Sequence, residues 1–314
     1  MKAVRFHEYG DSDVLRYEDV EQPVPAAGEV RVRVAGTTFN PVDDGIRGGY
    51  LREVFPVTLP HIPGIDVSGV VDAVGEGVDH LAVGDEVVGF LGMASTGASA
   101  DYAIAPAAVL TRAPSAIPLA DAAALPLVGL TAWQALFEVA GLSAGQRILV
   151  NGAGGAVGGY AVQLAKVAGA HVIATASPAS IGRVRAAGAD EVIDHTTTIV
   201  ADAVREPVDV LLNLARIEPE MLAGLAALVH PGGIVANTVV TMPAPSDEAR
   251  GVRGVNVFLR GDTEQLARLV ALVDGGELRV DVAERVSLPD LPELHARAAA
   301  GKVSGKVVVV PATA

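Results

Sequence analysis

The chain has 314 residues, half of them apolar, with no cysteine and a formal net charge of −14. That length predicts two domains with ample core material. The missing thiols exclude disulfides, iron–sulfur clusters, cysteine nucleophiles and cysteine-ligated zinc, and the acidity argues against a general nucleic-acid or anionic-membrane surface. No uninterrupted apolar window of about 18 residues suggests a membrane span, and MKAVRFHEYG lacks a signal-peptide apolar region, so a cytoplasmic location is expected. The seven histidines, at 7, 61, 80, 171, 195, 230 and 295, show no metal-ligand spacing such as His-x3-His.

Along the first 120 residues, short apolar runs alternate with turn residues. Strands are predicted at Lys2–Arg5, Leu15–Asp19, Glu29–Thr37, Asp66–Val74, Glu86–Gly89 and Asp101–Ile104. Gly28, Pro41, Gly64, Gly75, Gly77, Gly84 and Gly97 punctuate them, with one helix over Pro41–Gly48. A long helix over Asp121–Val139 follows. Strands at Ile148–Val150, Val172–Ala176, Glu191–Ile193, Val208–Leu214, Gly232–Thr238 and Val255–Leu259 then alternate with helices at Ala156–Val167, Ser180–Ala187, Thr197–Val204 and Pro219–Leu228. Such alternation predicts a doubly wound parallel sheet of the Rossmann kind. After one more helix, Thr263–Asp274, strands return at Arg279–Val286 and Lys306–Val310. The expected organisation is α/β and discontinuous. An irregular β-rich unit spans residues 1–121 and 262–314, and a nucleotide-binding unit spans 122–261.

The stretch RILVNGAGGAVGGYAVQLAK, residues 147–166, holds five glycines between Gly152 and Gly159. Ala153-x-Gly155-x-x-Gly158 matches the dinucleotide fingerprint, with alanine at its first position, between a strand and a helix. A small residue at 153 allows the tight turn, Gly155 lets the backbone approach a pyrophosphate, and Gly158 lets the helix pack closely. The helix N-terminus then offers its N–H groups to phosphate, so Ala153, Gly154, Gly155, Ala156, Val157 and Gly158 are candidate cofactor contacts. An NAD site places an acid at the end of the second strand. Here that strand ends Ala174-Thr175-Ala176-Ser177-Pro178, and no acid occurs between Val139 and Ala189 in a chain holding 37. Ser177 with Arg183 or Arg185 suits a 2′-phosphate, which predicts NADP(H); helix phase does not separate the two arginines.

Order and spacing carry a wider resemblance. "MKAVRF", "AGTTFNPVDDGIRGGY", "HIPGIDVSGVVDAVGEGV", "VGDEVVGF", "ASADYAIAP", "AAALPLVGLTAWQAL", "RILVNGAGGAVGGYAVQLAK", "AAGADEVID" and "GKVSGKVVVV" together resemble the medium-chain dehydrogenase/reductase superfamily, in its zinc-independent quinone oxidoreductase branch. The resemblance implies a GroES-like barrel around an inserted Rossmann domain. It implies that Asn40, Ile65 and Leu127 stand where an alcohol dehydrogenase carries its Cys–His–Cys zinc set, so no zinc is expected. It places Asn40 and Thr131 near the nicotinamide, and Tyr50 as an active-site tyrosine. His195 stands where the branch often has tyrosine near the adenosine. Asn213, Leu214 and Ala215 would pass the nicotinamide ribose, the backbone of Val257, Phe258 and Leu259 would read the carboxamide, and Lys306 would reach toward the cofactor. Asp43 and Asp66 read as structural.

Without a Lewis acid a neutral alcohol is hard to oxidise, so the expected enzyme is an NADPH-dependent reductase of quinones or α,β-unsaturated carbonyls. Two other readings are an enoyl reductase acting on a thioester or biosynthetic intermediate, and a non-catalytic NADPH-binding redox sensor or interaction protein. The expected partners are a small-molecule substrate and a second copy, paired through the Val255–Leu259 edge strand. The polar stretch 241–253 reads as a flexible lid.

Overall fold

The computed structural model describes residues 1–239 and 241–312. The chain divides into two compact units, residues 1–127 with 260–314, and residues 128–259.

The first unit opens with β1 (Lys2–Phe6), β2 (Leu15–Asp19), β3 (Glu29–Phe39), α1 (Pro41–Arg47), β4 (Asp66–Val74), β5 (Glu86–Phe90), β6 (Tyr102–Pro106), β7 (Leu110–Arg112) and α2 (Leu119–Ala122). β3 reads EVRVRVAGTTF, and its alternation sends Val30, Val32 and Val34 into a core with Val67, Val71, Val87 and Leu110. The β3–β4 register shifts twice, between Arg31 and Val32 and between Val34 and Gly36. Such bulges add local twist and bend the strand, and β3 takes β4 and β6 along its first half.

The second unit follows with α3 (Pro126–Trp133), which starts just before the boundary and passes into a π-helical stretch, Gln134–Val139. Then come β8 (Arg147–Asn151), α4 (Ala156–Val167), β9 (His171–Ala176), α5 (Ile181–Ala186), β10 (Glu191–Asp194), α6 (Val200–Ala203), β11 (Val208–Asn213), α7 (Pro219–Ala226), β12 (Val229–Asn237) and β13 (Arg253–Asn256). Its strands are all parallel, in the order β10-β9-β8-β11-β12-β13. Counted within the unit this is 3-2-1-4-5-6, the doubly wound order whose switch point lies between β8 and β11. Leu149, Ile173, Leu211 and Val235 from the strands pack with Leu222 and Leu225 from α7.

The chain returns to the first unit through α8 (Thr263–Asp274), β14 (Val282–Ser287), α9 (Leu291–Ala299) and β15 (Lys306–Val310). β15 lies antiparallel to the end of β3, Val307 facing Phe39 and Val309 facing Thr37. Among the described residues, no helix is long and apolar enough to cross a membrane.

Several elements differ from the sequence reading. The expected helix over Asp121–Val139 is broken between α2 and α3, because Pro126 has no N–H to continue α2 and its ring clashes with the preceding turn. The first unit holds until Leu127, whose N–H donates to the Asp66 carboxylate at 2.8 Å, so the boundary falls past 121. α9 was not anticipated, although LPELHARAA carries proline in its first turn and an apolar stripe that buries Leu291, Leu294 and His295. The sixth strand ends at Asn256, so Val257–Leu259 lie beyond it.

Gly158 fixes how α4 meets its loop. A Cβ there would lie 2.5 Å from the Ala153 Cα. Gly158→Ala is therefore expected to destabilise the protein by about 1–3 kcal/mol, read as a lower urea midpoint with an unchanged slope.

Candidate functional site

In the first unit, the bulged end of β3 delivers Thr38 and Asn40 to a place where β4 begins with Asp66 and β15 begins with Lys306. All four are buried, and Asp66 is wholly so. Asp66 Oδ2 accepts from the Thr38 hydroxyl, from Asn40 Nδ2 at 3.0 Å and from Lys306 Nζ at 3.2 Å. Its Oδ1 accepts the Leu127 N–H. Lys306 Nζ also donates to Asn40 Oδ1 at 2.5 Å, and Asn40 Nδ2 donates to Thr38 Oγ1 at 3.2 Å. A buried carboxylate thus faces a buried ammonium, and the Asn40 amide is clamped at both ends between them. Such a pair is tolerable only when its remaining hydrogen-bonding capacity is filled, and here it largely is.

Asn40 caps α1, and its N–H donates to Asp43 Oδ2 at 2.8 Å. Burial pushes the Asp43 carboxyl up to about 7; the nearby Asp66 charge adds to this, while the Asn40 N–H and Lys306 oppose it.

This arrangement bears on zinc. The three residues that the resemblance matches to an alcohol dehydrogenase ligand set are Asn40, whose amide oxygen already accepts from an ammonium, the buried Ile65 and the half-buried Leu127. Two of these side chains have no donor atom and the third is committed to an ammonium, so they do not fit a zinc ion. Among the described residues, no group of three or more His, Cys, Asp or Glu side chains is placed to hold a metal.

In the second unit, the fingerprint loop joins β8 to α4, with Gly155 as the helix cap. Gly152 sits at φ +89°, a conformation glycine adopts without strain. Ala153 N–H donates to the Thr175 carbonyl, tying the loop to β9. Ala156 and Val157 open the helix, where backbone N–H groups lack intrahelical partners and favour anions. Gly154 approaches Ser180 so closely that a Cβ would lie 2.3 Å from the Ser180 hydroxyl. The space next to Gly155 is open, its nearest non-local atom being the Gly152 oxygen at 3.5 Å from a built Cβ. A pyrophosphate fits such a cradle.

Beyond β9, the Ser177 and Ser180 hydroxyls lie 3.3 Å apart. Arg183 Nη2 donates to the Gly154 carbonyl at 3.3 Å. The structure therefore separates the two candidate arginines, since Arg183 reaches the glycine loop and Arg185 is exposed on α5 without such a contact. His195 joins the same corner through its N–H to the Ala176 carbonyl. Ser180 escaped the sequence reading; its signal was a second serine three residues after Ser177.

Leu214 N–H donates to the Asn151 carbonyl, and Ala215 lies against Gly152. Val257 is buried and its N–H donates to the Asn237 carbonyl at 2.7 Å, whereas Phe258 is 70% exposed. Thr131 lies on α3, half-buried. Tyr50 is 84% exposed and makes no hydrogen bond among the described residues, so the first unit does not join it to the buried Asn40. Lys306 is buried and donates to Asn40 and Asp66 of its own unit. The stretch 241–253, expected as a lid, is tied down where described. Asp247 and Val252 form a bridge, and Arg250 bonds Asp247 and the carbonyls of Ala226, Ala227 and Val229.

Residues 26–115 match the alcohol dehydrogenase GroES-like domain, and residues 187–309 match the zinc-binding dehydrogenase domain. The chain is 34% identical over 328 residues to a chloroplast envelope quinone oxidoreductase homolog of Arabidopsis thaliana, covering 99% of this chain and 98% of that one. The chain belongs to the medium-chain dehydrogenase/reductase superfamily, in its quinone oxidoreductase branch. A solved quinone oxidoreductase of Coxiella burnetii superposes with a TM-score of 0.87 at 26% identity, covering 99% of both chains. A mycobacterial structure complexed with NADPH gives 0.85 at 29%, covering 99% of this chain and all of that one. Like the family, the chain is an NAD(P)H oxidoreductase.

Asp43 provides a test of the buried cluster. A carboxyl whose folded pKa is raised adds stability below its unfolded pKa and loses it as pH climbs through the folded one. Between about pH 4 and pH 7, Asp43→Asn, which keeps an acceptor for the Asn40 N–H, should gain stability relative to the wild type. His61, which burial pushes down to about 4, acts in the opposite sense in both proteins, so it cancels in the difference. Urea titrations of both proteins across that range measure the effect.

Proposed function

We propose that the chain is a metal-free, NADPH-dependent reductase that passes hydride to a quinone or an α,β-unsaturated carbonyl. The observation that supports this reading is the buried Lys306–Asn40–Asp66 cluster, in which an ammonium already holds the amide oxygen of Asn40, the residue the resemblance matches to a zinc-binding cysteine. Oxidising a neutral alcohol needs help in removing its proton. A quinone or enone is already electrophilic and needs mainly placement and exclusion of water. The nicotinamide, when bound, supplies the hydride. The residues of the chain do the holding. Gly152–Gly158 and the start of α4 take the pyrophosphate, Leu214–Ala215 and Val257–Leu259 border the nicotinamide half, and Ser177, Ser180 and Arg183 take the 2′-phosphate. Asn40, with both ends of its amide committed, serves as a fixed wall of the substrate site. The exposed Tyr50 phenol and solvent are the available proton sources.

NADPH preference rests on the Ser177–Ser180–Arg183 corner, with no acid closing β9. One of the similar structures is an NAD-dependent alcohol dehydrogenase, with a TM-score of 0.90 at 30% identity over 99% of both chains, so the fold does not choose the nucleotide. A second reading has one supporting observation. The chain is 36% identical over 314 residues to part of the erythronolide synthase EryA2 of Saccharopolyspora erythraea, covering 96% of this chain and 8% of that one. A likeness to part of a synthase supports the alternative of a reductase acting on a biosynthetic intermediate. A homodimer through the edge strand β13 and a cytoplasmic location complete the proposal.

NADPH oxidation with 1,4-benzoquinone, 9,10-phenanthrenequinone and simple enones is the direct assay. Turnover on quinones is expected, whereas tight NADPH binding without turnover across the panel would favour a sensor. Ala176→Asp should repel the 2′-phosphate, raising KM for NADPH roughly tenfold or more while improving use of NADH; each tenfold change corresponds to about 1.4 kcal/mol of binding. Unchanged selectivity would remove the basis for choosing NADPH.

A further inference from the structure

Four of the six parallel strands end in asparagine: Asn151 on β8, Asn213 on β11, Asn237 on β12 and Asn256 on β13. The register places them side by side, Asn213 facing both Asn151 and Asn237, and Asn237 facing Asn256. Asn213 and Asn237 are wholly buried. Their side chains form one directed line across the carboxyl edge of the sheet. Gly152 N–H donates to Thr175 Oγ1, whose hydroxyl donates to Asn151 Oδ1 at 2.9 Å. Asn151 Nδ2 donates to Asn213 Oδ1 at 2.8 Å, and Asn213 Nδ2 to Asn237 Oδ1 at 2.8 Å. Asn237 Nδ2 donates to the Met242 carbonyl at 2.6 Å, with a longer contact of 3.4 Å to Asn256 Oδ1.

Backbone groups set the direction of the line. Asn213 Nδ2 also donates to the Ala215 carbonyl, and Asn256 Oδ1 accepts the Ala244 N–H. A carbonyl accepts and an N–H donates, so neither amide can turn over. Valine or leucine at these buried ends would pack without the desolvation cost of an amide. What the amides add is a fixed spacing between three loops at the edge of the sheet where ligands bind in open α/β folds: the pyrophosphate loop at Gly152, the turn at Leu214–Ala215 and the turn after Asn237. Hydrogen bonds in a directed chain reinforce one another, so a break at the centre is felt at both ends.

We propose that Asn213 is a positioning residue for the dinucleotide. Through the asparagine line it holds the pyrophosphate loop in register with the loops that border the nicotinamide half. This rests on the cofactor placement given above, with Leu214–Ala215 beside the nicotinamide ribose. A full dinucleotide spans both ends of the line. The half-ligand 2′,5′-ADP carries the 2′-phosphate and only the adenosine-side phosphate of the pyrophosphate, so it meets the glycine loop at one end of the line and none of the loops at the other.

The test compares dissociation constants of NADPH and 2′,5′-ADP, by fluorescence or calorimetric titration, for wild type, Asn213→Leu and Asn213→Asp. Asn213→Asp keeps the shape and the acceptor for Asn151 but loses both donors, and it is read in the same way should the leucine variant not fold. NADPH affinity should fall roughly tenfold or more, while 2′,5′-ADP affinity stays within about twofold of wild type. Loss of both affinities in equal measure, or of neither despite a lowered Tm, overturns the proposal and leaves the amides a packing role. Should the wild type prefer NADH, the choice of nucleotide fails separately, and the same comparison is made with NADH and AMP. In a double-mutant cycle, Asn151→Ala and Asn237→Ala, which touch only through Asn213, should give non-additive losses of dinucleotide affinity; strict additivity would contradict a connected line.

Discussion

The ion pair between Lys306 and Asp66 is the constraint around which the first unit is arranged. Neither charge reaches water, so each must be met inside the fold. β3 supplies Thr38 and Asn40, β4 supplies the carboxylate, the chain at Leu127 supplies a further N–H, and β15 returns from far along the chain with the ammonium. Four separated segments thus meet at one carboxylate. The return of the chain after the inserted unit is part of the site as well as of the barrel, since without Lys306 the Asn40 oxygen and the Asp66 charge would lose their cation.

The second unit works through a different interaction. Its parallel sheet offers the edge where dinucleotides bind, but strand order alone leaves the loops above that edge free to settle separately. The asparagine line ties them by side-chain bonds independent of the strand ladder. At the adenosine end, the paired hydroxyls of Ser177 and Ser180 and the reach of Arg183 to Gly154 bring side chains suited to a 2′-phosphate beside the glycine loop. One sheet edge thus carries the proposed asparagine line and, beside it, the corner on which the NADPH proposal rests.

The fold was legible wherever a local rule governs the local structure. The fingerprint Ala153-x-Gly155-x-x-Gly158, the alternation of β3 and the strand–helix alternation after residue 147 all have short-range causes, and they read correctly. Less could be read where a distant partner decides. Lys306 in SGKVVVV looks like a solvated or cofactor-seeking lysine, and only the register of β15 on β3 buries it against Asn40. The sequence alone did not reveal that the Tyr50 side chain is exposed. Arg250 sat in a polar stretch that read as a lid, whereas three backbone carbonyls hold it down. The asparagine line was in plain view as ILVN, VLLN, IVAN and RGVN, four strand-like runs each closed by the same residue. Parallel pairing is what turns that recurrence into contact, and pairing is a property of the whole sheet.

On the proposed reading, the Lys306–Asn40–Asp66 cluster leaves the chain without a catalytic metal. Elemental analysis of the purified protein, paired with quinone-dependent NADPH oxidation before and after exhaustive chelation, tests it most directly. The account predicts far less than one zinc per chain and a turnover rate that chelation leaves unchanged. One tightly bound zinc per chain, with activity lost on its removal and regained on its return, would contradict it.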